Sequence, residues 1–403
     1  MNTSDISRNC RVAGGVEKQH SNSPKIAFDK RQSGIELIKI FAILLIVFSH
    51  LTLTLGFEPE SYNYESKYWI DFSTASTDLQ TIGLTLFQHC GEVGNLIFLI
   101  SSCWFLCSKT NFKSEKVFTM LLNVWTISVL ILVIFLVLGI NVSAKTIIKC
   151  FIPNFLCTNW FITCYILLYL SHPVLNTIIS SYSQKQHLAI VSVMFGLYFI
   201  LGFIKINILF ISPLIIFYTV YFTVAYVKFY LKELVNNKKV ILFMVVVGGL
   251  GIIVPCLALE WLSLYFNFFS GKVLRWWNNH NIFIFLFALG TLCFAKKLTF
   301  HSNFINRLSS LSLLVYVIHD NLLVRQHLRP FIYDNIYVHH NELYEYILLV
   351  MICLSLLFFI CSYVAAYIYA ETLQKLVIIT AGKVSKKFGT LANRLADTIL
   401  KIN

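Results

Sequence analysis

The sequence predicts an all-α, polytopic integral membrane protein of about ten transmembrane helices with both termini in the cytoplasm, and three observations carry that expectation. Hydrophobic residues make up 57% of the 403 and charged residues only 13%, against roughly 25% charged in a soluble domain, and mean hydropathy is +0.73. Apolar runs near the length of about 20 residues that crosses a hydrocarbon core of about 30 Å recur along almost the whole chain. Lysine and arginine gather in alternate connections between those runs, as they do in cytoplasmic loops.

Residues 1–33 are polar and lack the apolar core of a signal peptide, so they read as a disordered cytoplasmic tail, with the first span itself directing insertion. The transmembrane domain is expected over 34–370, with apolar runs at 35–55, 81–107, 117–140, 155–179, 188–204, 207–227, 240–260, 281–295, 308–324 and 344–369. Those near 200, 285 and 315 are short or carry polar residues. Residues 371–403 form a basic cytoplasmic tail with Lys375, Lys383, Lys386, Lys387, Arg394 and Lys401.

The inner connections hold Lys109, Lys113 and Lys116, then Lys185, then Lys228, Lys232, Lys238 and Lys239, then Lys296, Lys297 and Arg307. The loop over 56–78 is acidic (Glu58, Glu60, Glu65, Asp71, Asp78) and belongs outside. Outer loops 261–280 and 325–343 carry Lys272, Arg275, Arg325 and Arg329, more base than the rule prefers, which suits either an anionic substrate group or lipid phosphates. The net charge of +13 is thus explained by loops and tails beside the membrane, without nucleic acid as a partner. Eleven cysteines, mostly inside apolar runs and without CxxC spacing, read as small buried hydrophobes, and no metal site is expected. No fixed-period repeat or inverted halving is evident, which weighs against a duplicated transporter.

A strongly polar side chain inside a bilayer is costly enough to mark a functional site. On the first span Glu36, Lys39 and His50 share a helix face, with Lys39 and His50 about 16 Å apart along the axis, so that Lys39 lies near the cytoplasmic boundary and His50 deep inside. The ninth span places Tyr316, His319 and Asp320 at a comparable depth, with Arg325 beyond them. The second adds Glu92 and Asn95 beside His89, ahead of Ser102, and the fourth opens on Asn159 and Trp160. Histidine suits such a depth because its neutral form is tolerated in hydrocarbon and still accepts a proton near neutral pH.

Four of these segments, in matching order over about residues 34–330, resemble the acyltransferase type 3 family, the integral-membrane O-acetyltransferases of bacterial surface polysaccharides. GIELIKIFAILLIVFSH resembles that family's first helix, FLISSCWFL its FFLISGYFL element with Ser102 as the serine, NWFITCYILLYLSHPVLN its tryptophan-led span and LSLLVYVIHDNLLVR its YLIH helix. Lysine stands at 39 where the family usually has arginine, which replaces a bidentate grip by a point charge, and Cys103 replaces the glycine of SG. The resemblance implies a multi-pass protein of the bacterial cytoplasmic membrane that moves an acetyl or other acyl group from acyl-CoA to a sugar hydroxyl of a lipid-linked or surface glycan. It also implies His50 as the base, Lys39 and Glu36 as charge partners, and Tyr316, His319, Asp320, Arg325, Trp160, Glu92, Asn95 and Ser102 as pocket residues. Acetyl-CoA is then a substrate, with no bound cofactor. Ser102, Cys90 and Cys103 are the nucleophiles a covalent route would use. A flippase or transporter of a lipid-linked sugar is the alternative, since it too needs a polar cavity in an apolar bundle.

Overall fold

A computed structural model describes residues 32–55, 79–109, 111–154, 159–201, 213–269, 272, 276, 280–333 and 346–400. The expected N-terminal tail up to residue 31, the acidic loop 56–78 and most of the outer loops near 275 and 340 lie outside the described residues. Among the described residues the secondary structure is helical, with no strand. The long elements are α1 (Ser33–Leu55), α2 (Leu79–Leu106), α3 (Ser114–Val137), α4 (Ala144–Phe151), α5 (Trp160–Ser181), α6 (Gln184–Phe195), α7 (Pro213–Tyr230), α8 (Lys238–Ser263), α9 (Ile282–Lys297), α10 (Asn303–His319), α11 (Ile347–Thr372) and α12 (Gln374–Leu400).

Seven of them, α1, α2, α3, α5, α7, α8 and α11, are long and apolar enough to cross a membrane, and the protein is an all-α membrane protein. The three remaining runs of the sequence expectation are shorter or more polar helices. α6 continues as a π-helical turn, Gly196–Leu201, after which residues 202–212 lie outside the described set. α9 has 16 residues and ends on Lys296 and Lys297, a length of about 24 Å. α10 has 17 and carries Asn306, Arg307 and three serines.

Local chemistry sets several boundaries. Ser143, Asn237, Asn281 and Ser302 each accept a backbone N–H in the first turn of α4, α8, α9 and α10, and Ser183 with Gln186 forms a reciprocal capping box at α6. α3 stops at a left-handed Gly139 (φ 74°), where the Gly139 N–H reaches Leu136 O and the Ile140 N–H reaches Phe135 O. That pair of bonds satisfies the last carbonyls and needs a residue without a Cβ at the turn.

α1 is the central helix, packed along α2 and also against α9, α10 and α11. Two-thirds of the apolar stretch of α2 (67%) is buried by protein, whereas only 28% of that of α8 or α11 is. The outer faces of α8 and α11, with Leu242, Phe243, Leu357 and Ile360 exposed, are therefore the ones that meet lipid. In a bilayer, helices are held together by close packing of small residues more than by hydrophobic burial. Gly94 illustrates this: a Cβ there would sit 2.5 Å from the Ala42 carbonyl oxygen. About two turns away Ser49 Oγ donates to the Gln88 carbonyl at 2.5 Å.

The C-terminal tail of the sequence expectation is a helix through Leu400, packed against α3. Lysines spaced along the segment break its apolar residues into short stretches, which is why the sequence reads as a tail.

Candidate functional site

The polar side chains of α1 and α10 meet at two levels. At the Ser33 end, Ser33 Oγ donates to Asn306 Oδ1 at 3.0 Å and accepts the Ser302 N–H at 2.8 Å. Buried Glu36 accepts Ser309 Oγ at 2.5 Å and pairs with Lys39 Nζ at 3.5 Å. Hydrogen bonds to a buried carboxylate are among the stronger ones, so this level fixes the register of α1 against α10.

Fourteen residues further, about 21 Å along α1, lies the second level. His50 Nδ1 stands 3.1 Å from His319 Nε2 and 3.3 Å from Asp320 Oδ1, and the two imidazoles stack with centroids 5.2 Å apart. His319 Nδ1 lies 2.8 Å from the Val315 carbonyl, which can only accept. A proton is therefore on Nδ1, and in its neutral form His319 presents the lone pair of Nε2 to His50. Facing two acceptors, His50 carries its own proton on Nδ1, so the neutral ring holds its lone pair on Nε2. A carboxylate beside Nδ1 and a lone pair on Nε2 suit an imidazole to accept a proton.

α10 ends as this group is formed. Asp320 leaves helical geometry (φ −105°, ψ 20°), and the chain passes through the π-helical turn Val324–Leu328, a distortion common at functional sites. The turn returns Arg329 to the group. Its Nη2 donates to the His319 carbonyl at 2.6 Å and to Asp320 Oδ1 at 3.2 Å, and its Nη1 to the His50 carbonyl at 3.4 Å. Arg329 is 4% exposed, so Asp320 is the anion that balances a buried cation. Arg325 Nε lies at the edge, 3.9 Å from Asp320. Tyr333 Oη closes the same seam by donating to the Leu51 carbonyl at 3.0 Å.

Tyr316 lines the group with its ring 6.4 Å from His50 and 5.6 Å from His319. It contacts Phe161 at 5.8 Å, and Phe161 in turn contacts Trp160 at 5.6 Å, which places Trp160 two rings out. Glu92 and Asn95 are half-buried on α2, with half-buried Ser102 two turns beyond Asn95. Of the expected site, then, His50, His319, Asp320, Tyr316 and Arg325 come together, while Glu36 and Lys39 form a separate pair nearer the start of α1. Arg329, expected in a basic outer loop, instead enters the site as the partner of Asp320, and Tyr333 is a site residue that nothing in the sequence marks.

At the Lys39 level a second feature appears. Trp104 lies under two lysines, Lys296 Nζ at 4.0 Å and Lys228 Nζ at 5.3 Å from its ring centre. Lys228 also donates to the Trp104 carbonyl and to Ser108 Oγ. Lys39 stands over Phe105 at 5.3 Å and Lys116 over Tyr169 at 4.8 Å. Beside them opens a cavity of about 400 Å³ lined in part by Cys107, Ser108, Asn176 and Tyr230. Cations brought together on aromatic faces next to a polar cavity suit an anionic ligand.

Among the described residues no group of three His, Cys, Asp or Glu side chains is arranged to hold a metal ion. No protein-family model matches the chain, and neither a curated protein nor a solved structure shows significant similarity to it.

Proposed function

We propose that the chain is a membrane O-acyltransferase that moves an acetyl or other acyl group from acyl-CoA to a sugar hydroxyl of a lipid-linked or surface glycan. The observation that carries the reading is the His50–His319–Asp320 group, which gives a half-buried imidazole the orientation of a general base. The four sequence segments that resemble the acyltransferase type 3 family support it, since two of them, on α1 and α10, supply this group. In this reading the chain spans a bacterial cytoplasmic membrane about ten times, with both termini inside, α6, α9 and α10 completing the bundle.

A sugar hydroxyl is a weak nucleophile and needs a base as it attacks a thioester. His50 Nε2 takes the hydroxyl proton while the oxygen adds to the acyl carbonyl carbon. The tetrahedral intermediate collapses with loss of the C–S bond, and His50 returns the proton to the CoA thiolate. Asp320 stabilises the transient imidazolium, and Arg329 holds the carboxylate in place. At the cytoplasmic end Lys39, Lys116, Lys228 and Lys296 meet the phosphates of CoA, and the cavity beside Ser108 receives part of the donor.

The test is mass spectrometry of the surface glycan from cells with and without the gene. The reading expects a base-labile ester on the glycan that is lost with the gene and restored by the intact chain but not by His50→Ala. A glycan of unchanged ester content would overturn it. A lipid-linked sugar transporter would instead change how much glycan reaches the surface while leaving its esters as they were.

A further inference from the structure

α11 ends at Thr372 and α12 starts at Gln374, so the amphipathic helix begins where a span leaves the bilayer. At 100° per residue Val377, Ala381, Val384, Phe388 and Leu391 fall on one face of α12, with Lys383 and Lys387 along its flank and Lys375 and Lys386 further round. α3 covers only part of that face. Ser385 Oγ lies 2.6 Å from Ser114 Oγ, Phe388 meets Phe118 at 5.7 Å, and Val377 and Ala381 are buried. Val384, Phe388 and Leu391 nevertheless stay 39%, 56% and 54% exposed. Over residues 374–403 six lysines and arginines stand against the single acid Asp397.

We infer that α12 is an interfacial anchor: its uncovered apolar strip enters the bilayer surface at which α11 ends, and its flanking lysines bind anionic phospholipid headgroups. Two properties select a lipid surface as the occupant. The helix is tethered at the bilayer boundary with no intervening linker, and its exposed apolar strip is edged by cations, the pattern of helices that lie in the headgroup region. Long lysine side chains cover the edge of such a strip while their ammonium groups reach the phosphates. Because α12 also packs on the first turns of α3, lipid binding would hold Ser114 and its neighbours Lys113 and Lys116 at the same surface.

The experiment is amide hydrogen exchange on the full-length protein in nanodiscs of neutral phosphatidylcholine and in nanodiscs with about 30% phosphatidylglycerol, with α11 as the internal measure of an intact fold. Exchange over 374–391 should be about tenfold slower in the anionic discs. The triple substitution Lys383→Gln, Lys386→Gln, Lys387→Gln should remove that difference while α11 stays protected. Equal exchange of the unsubstituted protein in the two lipids would overturn the inference. So would protection that follows the number of protein copies per disc and not the lipid charge, since a second copy would then be the occupant. Acyl transfer plays no part in the readout, so the result stands apart from the proposed activity.

Discussion

Replacing Asp320 by Asn perturbs stability and chemistry together, and the structure separates the two. The carboxylate faces His50 Nδ1 at 3.3 Å and Arg329 Nη2 at 3.2 Å. Two unit charges 3.2 Å apart attract by about 5 kcal/mol at an effective dielectric constant of about 20. Breaking a buried pair by neutralising one partner costs about 3–5 kcal/mol, because the other charge stays buried. Asp320→Asn should therefore lower unfolding free energy by about 3–5 kcal/mol, read by denaturant titration in detergent. It should also slow acyl transfer by on the order of 10²–10⁴-fold, since the amide no longer balances an imidazolium or fixes the tautomer. The double variant Asp320→Asn, Arg329→Gln removes the stranded cation. At least half of the lost stability should return, and none of the rate. Recovery of rate in step with stability would refute a chemical role for the carboxylate, as would a single variant with unaltered stability and turnover.

Gly94→Val should destabilise the protein by about 1–3 kcal/mol, because the added carbon meets backbone at Ala42; Gly196→Ala, where nothing lies within 4 Å, is the neutral control, and equal melting temperatures for the two would contradict the packing described. Glu36→Gln should cost about 1–2 kcal/mol through the weakened bonds to Ser309 and Lys39, with turnover at saturating substrate little changed; a collapse of turnover in a protein of normal stability would move Glu36 into the chemistry. Lys228→Met with Lys296→Met should raise the KM for acetyl-CoA about tenfold at low salt with kcat held within about twofold, and the difference should shrink as salt screens the phosphates. A fall in kcat at unchanged KM would remove these lysines from donor binding.

Much of the α1–α10 centre is visible in the sequence because two constraints act on each residue at once. His50 and His319 are costly in hydrocarbon, and each sits a countable number of residues from a charged boundary, so depth and rarity agree. Arg329 carries neither mark. It lies beyond a helix end, and a π-helical turn, which leaves no hydrophobic period, returns it to Asp320. Ser309 is hidden for a different reason: one serine among three on α10 gives no sign that it faces Glu36. Lys228 and Lys296 read as ordinary loop bases until Trp104 is seen between them. α12 was obscured by its own charge, since averaging hydropathy over the segment hides an apolar strip that only the 3.6-residue period reveals. The helices α6, α9 and α10 mark the same limit, because polar residues that serve helix contacts lower the very signal by which a span is identified.

The central claim is that His50 is the base of an acyl transfer, and labelled acetyl-CoA tests it most directly. Membranes carrying the intact chain or His50→Ala, matched for the amount of inserted protein, are given acetyl-CoA labelled in the acetyl group together with their endogenous glycan. The intact chain should place label in a base-labile ester on the glycan, and His50→Ala should fall to the level of membranes without the protein. Transfer by His50→Ala at the rate of the intact chain, or no transfer by the intact chain, would contradict the account.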